Sequence, residues 1–276
     1  MKSGKRLKAW ECVRIAVLAV VSLIVIFPFF WMVLCSFKSS SEVLSKNSFW
    51  PTEWHPENYL LAWGRARFDI YFRNSLLMAL ASVAGQLITS SMAAYAFAKM
   101  KFRLNKPLFM LFLCSMMIPQ EATIVSNYLT LSAVGLMDTF FAVICTSIVS
   151  VFGVFLLRQF YMTIPDALLE AAKIDGASEV QSFVSIILPL GKSAMATIAI
   201  IGFIGSWNSY LWPLIITNSM ELRTVQTGLR AMMTLDQGVE WNQLMAMSTL
   251  ITVPTIVLFV ALQKYFVQGI TKVGLK

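Results

Sequence analysis

Long apolar runs without charge are the first constraint on this chain. Residues 15–37, 74–98, 139–157, 193–220 and 241–263 contain no Asp, Glu, Lys or Arg. A bilayer core of about 30 Å is crossed by about 20 apolar residues in a helix, so each run can span. A sixth run begins at Pro107 and meets Pro119 and Glu121 early; its outer end is the least defined. Lipid offers backbone groups no partner, so apolar runs of this length must satisfy their own hydrogen bonds as helices. The expectation is an all-α integral membrane protein with one transmembrane domain over 1–276. Its spans fall near 14–37, 73–98, 107–129, 139–158, 193–217 and 242–263. Composition agrees: 13% of residues are charged, against about 25% in soluble domains.

The net charge of +8 invites a nucleic-acid reading. Its distribution argues for a membrane instead. With six spans and an internal N-terminus, 15 of the 22 basic residues fall in inside segments, among them Lys2, Lys5, Arg6, Lys8, Lys99, Lys101, Arg103, Lys106 and Lys264. That bias follows the positive-inside rule and directs both termini to the cytoplasm. No basic cluster sits away from a membrane flank, as a nucleic-acid footprint would. The basic N-terminus followed by an apolar run mimics a secretory signal, but the run exceeds the 7–15 residues of a signal core, so it reads as a retained first span. Cys12, Cys35, Cys114 and Cys145 are scattered without CxxC spacing; neither a disulfide framework nor a metal is implied, and small apolar packing residues are the simpler account.

Two connections stand out. The first outside loop, about 38–72, carries Trp50-Pro51, Trp54, Pro56 and Asn58-Tyr59, a turn-rich aromatic stretch suited to a folded surface loop. Between the fourth and fifth spans, residues 161–190 are too long for a turn and too amphipathic for a linker. Thr163 with Asp166 resembles a capping box, and Pro165 falls in a first helical turn. Leu168, Leu169, Ala171 and Ala172 give a mostly apolar face. Gly176 stands where a glycine ends a helix in the left-handed conformation. Ser178 with Gln181 forms a second capping box, opening a helix toward Leu188 and Pro189. The product is a helix–turn–helix elbow at the inner membrane surface. On local physics it could equally be an interfacial elbow with no partner.

The spacing of the elbow adds to this. Glu170-Ala171-Ala172, Gly176, Ile186, Leu188 and Pro189 fit EAA-x3-G-x9-I-x-L-P at all seven positions. This resembles the EAA signature of binding-protein-dependent ABC importer permeases. Trp207-Asn208 through Trp212-Pro213-Leu214, Met117-Ile118-Pro119 and Phe155 through Phe160 are similar to the maltose-type carbohydrate branch, and the close from Gln263 to Lys276 to that branch's second, six-span inner-membrane subunit. The resemblance implies the type I importer architecture and half of a passage carrying a carbohydrate, such as a di- or oligosaccharide, into the cytoplasm. A phosphorylated polyol or an acidic oligosaccharide is an alternative cargo. It implies a second permease as heterodimer partner, two ATPase subunits that bind the ATP and magnesium, and an extracytoplasmic solute-binding protein, all at a bacterial or archaeal inner membrane. Glu170, Ala171, Ala172, Asp175, Gly176, Leu188 and Pro189 would couple to the ATPase. Gly274 and Lys276, in the tail, would also reach it, although Lys272 through Lys276 departs from the branch's glycine- and alanine-rich ending.

Other patterns carry less. Gly191-Lys192-Ser193 mimics the end of a P-loop, but position 186 is Ile and the triplet opens a membrane helix, so no nucleotide or other cofactor site is expected in this chain. His55 is the sole histidine, which excludes a histidine-clustered metal site and leaves no catalytic set for a membrane enzyme. A stand-alone six-span carrier or channel is the alternative function. Ion-coupled carriers need intramembrane ionisable groups, which the confident spans lack. Trp207, Asn208, Tyr210 and Trp212 either line a sugar pathway or belong to an interfacial aromatic belt. Glu121 lies either at the pathway mouth or as a solvated interfacial carboxylate.

Overall fold

A computed structural model describes residues 2–45, 48–65, 67–233 and 238–273, with side chains placed over 10–45, 48–65, 67–233 and 238–263. Its regular structure is helical throughout these residues: α1 (Lys2–Ser36), α2 (Ser40–Leu44), α3 (Glu57–Arg65), α4 (Phe68–Lys99), α5 (Asn105–Cys114), α6 (Gln120–Ala133), α7 (Phe140–Ile144), α8 (Val151–Met162), α9 (Asp166–Ile174), α10 (Glu179–Ser182), α11 (Leu188–Leu190), α12 (Lys192–Trp207), α13 (Leu211–Ile216), α14 (Val225–Met232) and α15 (Trp241–Val273). The all-α fold expected from the apolar runs is the one observed. Three stretches are long and apolar enough to cross a bilayer unaided: Trp10–Ser36, Phe68–Lys99 and Trp241–Gln263. Along α1, Ile15, Leu18, Leu23, Ile24 and Phe27 all face outward; lipid solvates such a surface and water does not.

The third apolar run is not the single helix expected over 107–129. α5 closes in a 3-10 turn at Ser115–Met117, and α6 departs at 99°. Pro119 causes the break. Its ring pushes the preceding residue out of the helical region, and Ile118 stands at φ −88°, ψ 114°. The fourth run, expected over 139–158, is likewise divided. α7 ends at Ile144, residues 145–150 are unwound, and α8 restarts behind Ser150, whose hydroxyl accepts the Gly153 N–H. In the fifth, α12 ends at Trp207 and α13 follows after a short irregular turn.

The chain forms two compact units. One contains residues 1–68 and 229–253. Here the buried Asn58 amide donates to the Ser36 and Lys38 carbonyls at the end of α1, each at 2.9 Å, and accepts from Asn242 Nδ2 at 2.9 Å. Lys38, also buried, donates to the Ser48 carbonyl at 2.7 Å and lies 4.8 Å from the Trp31 ring. Orphan carbonyls at a helix end need partners, and the long loop after α1 supplies them.

The second unit contains residues 69–228 and 254–276, and α4 organises it. At one end Met78 packs with Leu131, Ala142, Val143 and Ile216. Toward the other, Ala94 and Tyr95 join Phe109, Leu157, Tyr161, Ile164, Leu169 and Ile187. Between these cores α4 carries Ser82, Gln86, Thr89 and Ser90 on one face, at helical spacing. These side chains meet the unwound 145–150 segment: Ser82 Oγ lies 2.8 Å from Ser147 Oγ, Gln86 Nε2 donates to the Ser147 carbonyl at 2.7 Å, and Thr89 Oγ1 to the Ile148 carbonyl at 2.9 Å. Irregular backbone at membrane depth survives only where protein or a wet cavity satisfies it. Gly85 allows the close approach, since a Cβ there would stand 2.9 Å from that of Ile148.

Candidate functional site

The elbow is built by local rules. α8 closes at Met162, and the Thr163 hydroxyl turns back to donate to the Phe160 carbonyl at 2.7 Å. The Thr163–Asp166 capping box expected from the sequence is therefore absent. Pro165 forces the helix start onto itself as N-cap, two residues beyond Thr163, so Asp166 becomes the first helical residue. There its carboxylate complements the helix dipole and reaches Lys99 Nζ on α4 at 2.5 Å. The hydrogen bond and charge of Lys99 hold the Asp166 carboxyl below the usual aspartate range.

α9 ends as Gly176 implied. Gly176 lies at φ +83°. The Ala177 N–H donates to the Ala172 carbonyl at 2.9 Å and the Gly176 N–H to Lys173 at 3.1 Å, the paired bonds of a Schellman ending. The second helix opens with the expected capping box: Ser178 N–H donates to Gln181 Oε1 at 2.7 Å, and Gln181 N–H to Ser178 Oγ at 3.2 Å. Across the turn, Lys173 Nζ and Glu179 Oε1 pair at 2.5 Å. Glu179 Oε2 also accepts from the Tyr95 hydroxyl at 2.7 Å. Both arms are thus fastened to the last turns of α4.

Leu188 and Pro189 also have a mechanical consequence. Pro189 has no N–H and its ring crowds the carbonyl four residues back. The backbone answers with a π turn over Phe183–Ile187, in which the Leu188 N–H reaches the Phe183 carbonyl. Single π turns of this kind are common at functional sites. At Gly191 the chain then bends by 75° into α12. A Cβ on Gly191 would stand 2.8 Å from Tyr161 Cε1, so the triplet that mimics a P-loop owes its glycine to packing.

The elbow's outward face is open. Glu170, Ala171, Asp175 and Gly176 are exposed, and Ala172 is half-buried. Beside them Ile174 is 86% and Val180 71% exposed. Leu169 points the other way, into the core.

A second feature of the same unit is a cavity of about 660 Å³. Gln86, Ser147, Gly202 and Ser206 line it, together with Glu121, Tyr210 and Trp212. Three of the five pathway residues expected from sequence therefore meet there. The other two lie off its lining. Trp207 is buried, stacked on Phe203 with ring centroids 5.6 Å apart and edge-on to Phe72 at 5.3 Å. Asn208 is exposed, and its Oδ1 accepts from Gln226 Nε2 at 3.3 Å. Gln86, Thr146, Ser147, Val149 and Ser150 belong to the cavity wall without having been expected there. Tyr95 and Lys99 play the same part for the elbow. For Gln86, Tyr95 and Lys99 the sequence signal was a polar residue on an otherwise apolar helix. Gly274 and Lys276, the expected tail contacts, lie outside the described residues.

Comparison with known proteins decides the family. Residues 85–272 match the model of the binding-protein-dependent transport system inner membrane component. The chain belongs to this family. It is 37% identical over 204 residues to a Yersinia pestis bv. Antiqua (strain Antiqua) protein named sn-glycerol-3-phosphate transport system permease protein UgpE, covering 74% of this chain and 73% of that one. The Pectobacterium atrosepticum protein of that name is 36% identical over the same shares. A solved chain from a bacterial ABC transporter involved in the import of the acidic polysaccharide alginate superposes with a TM-score of 0.83 over 94% of this chain and 97% of its own, at 22% identity. That likeness is one of fold. This permease is an inner-membrane component of a binding-protein-dependent transport system, and a stand-alone carrier is not favoured.

Proposed function

We propose that this permease carries a carbohydrate or polyol into the cytoplasm by docking its 166–189 elbow on separate ATPase subunits. The supporting observation is the fastening of that elbow. Its tip is exposed and mixed in character, with Ile174 and Val180 beside Glu170 and Asp175, while Lys99–Asp166 and Tyr95–Glu179 tie its base to α4. α4 in turn carries the hydrogen-bonding face that holds the cavity wall. A pull on the tip is thereby transmitted to the passage, through rigid helices and charge-assisted hydrogen bonds.

In this reading both termini are cytoplasmic. The permease pairs with a second, homologous subunit, and the cavity is its share of the route. An extracytoplasmic binding protein delivers the cargo. Two ATPase subunits hold the ATP and magnesium, and this chain has no nucleotide site. Gly274 and Lys276 make a second contact with the motor. The cargo class draws on the hydroxyl, amide and aromatic lining and on relatives named for glycerol-3-phosphate and alginate, a phosphorylated polyol and an acidic polysaccharide.

The test is co-reconstitution in liposomes. Uptake of cargo is expected only with the second permease, the ATPase, ATP and the binding protein together. Transport by this chain alone, driven by an ion gradient, would overturn the proposal.

A further inference from the structure

The connection from α4 to α5 alternates apolar and basic side chains. It reads Met100-Lys101-Phe102-Arg103-Leu104-Asn105-Lys106. Residues 100–104 are all exposed, Met100 at 43%, Phe102 at 40% and Leu104 at 55%, and Lys106 is exposed with them. Hydrogen bonds and a ring contact fix the shape of this loop. The Asn105 side-chain amide donates to the Met100 carbonyl at 3.0 Å and the Asn105 N–H to the Phe102 carbonyl at 3.2 Å, while the Phe102 ring lies 6.2 Å from that of Phe97. Leu104 opens a stripe with Leu108 and Leu111, four and seven residues on, both exposed on α5. Among the described residues Lys101, Arg103 and Lys106 enter no ion pair, and residues 99–119 contain no Asp or Glu. Water solvates the three charges but not the apolar side chains between them, and hydrocarbon does the reverse. The boundary of a bilayer suits both, and basic side chains there are drawn to anionic headgroups.

We infer that the 100–106 loop is a binding site for an anionic phospholipid of the inner leaflet: Lys101, Arg103 and Lys106 hold its headgroup, and Leu104, Leu108 and Leu111 flank its acyl chains. The inference rests on the inside placement of this loop, which belongs to the proposed function. Basic residues that only set orientation act by charge during insertion and retain no particular lipid afterwards. Lys101 also gives the site a place in the mechanism. Its charge joins the hydrogen bond and charge of Lys99 in depressing the Asp166 carboxyl, so a headgroup at Lys101 sits at the base of the elbow.

Native mass spectrometry of the assembled transporter reads the site. The detergent-solubilised complex is titrated with phosphatidylglycerol and, separately, with phosphatidylcholine of the same chains. A basic side chain near the surface strengthens binding of an anionic lipid roughly fivefold. Combining Lys101→Gln, Arg103→Gln and Lys106→Gln is therefore expected to lower the affinity for one bound phosphatidylglycerol at least tenfold and to leave phosphatidylcholine unchanged. Arg103→Gln alone, the smallest change of charge, is expected to cost roughly fivefold, and the charge-conserving set Lys101→Arg, Arg103→Lys and Lys106→Arg to retain the lipid. Equal phosphatidylglycerol binding by the unsubstituted and glutamine-substituted complexes overturns the site. Displacement of the lipid by inorganic phosphate assigns the loop to a free anion, and loss of the ATPase in place of the lipid assigns it to the motor; either overturns the inference. Orientation is read separately, with Cys12, Cys35, Cys114 and Cys145 replaced by alanine. An impermeant maleimide is expected to label Arg103→Cys in inside-out vesicles alone. Labelling in right-side-out vesicles overturns the inside placement and the inference together, whereas a missing lipid preference with inside-out labelling overturns the inference alone.

Discussion

Gly176 lies at φ +83° with nothing within 4 Å of where a Cβ would stand. A side chain there has room, so the cost of adding one is in the backbone alone. Gly176→Leu is expected to destabilise the elbow by about 1–2 kcal/mol, and Gly176→Asn by less, since Asn visits the left-handed region routinely. Hydrogen exchange over 166–182 measures this. Gln86 works through a contact instead. Gln86→Leu strands the Ser147 carbonyl inside the protein, at a cost of about 1–3 kcal/mol, read as lower thermal stability of the detergent-solubilised permease. Asp166 sets a pH dependence. Lys99 depresses its folded-state carboxyl, so the tie to α4 is present at neutral pH and lost only as acid protonates Asp166, below the ordinary aspartate range. Elbow protection factors, with the intrinsic pH dependence of exchange divided out, are expected to stay flat from neutral to mildly acid pH and to fall only beyond that, with Asp166→Asn removing the Lys99 contribution to the transition.

At the scale of elements, what was legible in the sequence was local. The Schellman ending at Gly176 and the Ser178–Gln181 box are fixed by residues within six positions of one another, so spacing alone gives them. The Thr163–Asp166 box used the same logic and failed, because Pro165 moved the helix start by two residues. The unwound 145–150 segment was not legible. It lies in an uninterrupted apolar run, and the groups that satisfy it sit on α4, about sixty residues earlier. Trp207 is buried partly for a similar reason: Phe72, edge-on to its ring, comes from α4, while Phe203 is its neighbour one turn back on α12. The π turn before Pro189 follows from a missing N–H, so Pro189→Ala is expected to let α10 and α11 close as one α-helix and reduce the 75° bend at Gly191. Spin labels at positions 180 and 200 should report a changed distance. An unchanged distance would assign the bend to Gly191 and its packing against Tyr161.

Across the whole molecule, the proposed order of events runs from motor to elbow to α4 to cavity. Each link is a set of named contacts, and two of them, Lys99–Asp166 and Tyr95–Glu179, are the joints between elbow and passage. Lys99→Met with Tyr95→Phe removes both joints while leaving the docking tip of the elbow untouched. The decisive measurement follows ATP hydrolysis and cargo uptake together in proteoliposomes holding the complete transporter with this double substitution. The account predicts that hydrolysis continues while uptake per ATP falls at least tenfold, the equivalent of about 1.4 kcal/mol of lost coupling. Uptake per ATP equal to that of the unsubstituted transporter would contradict it.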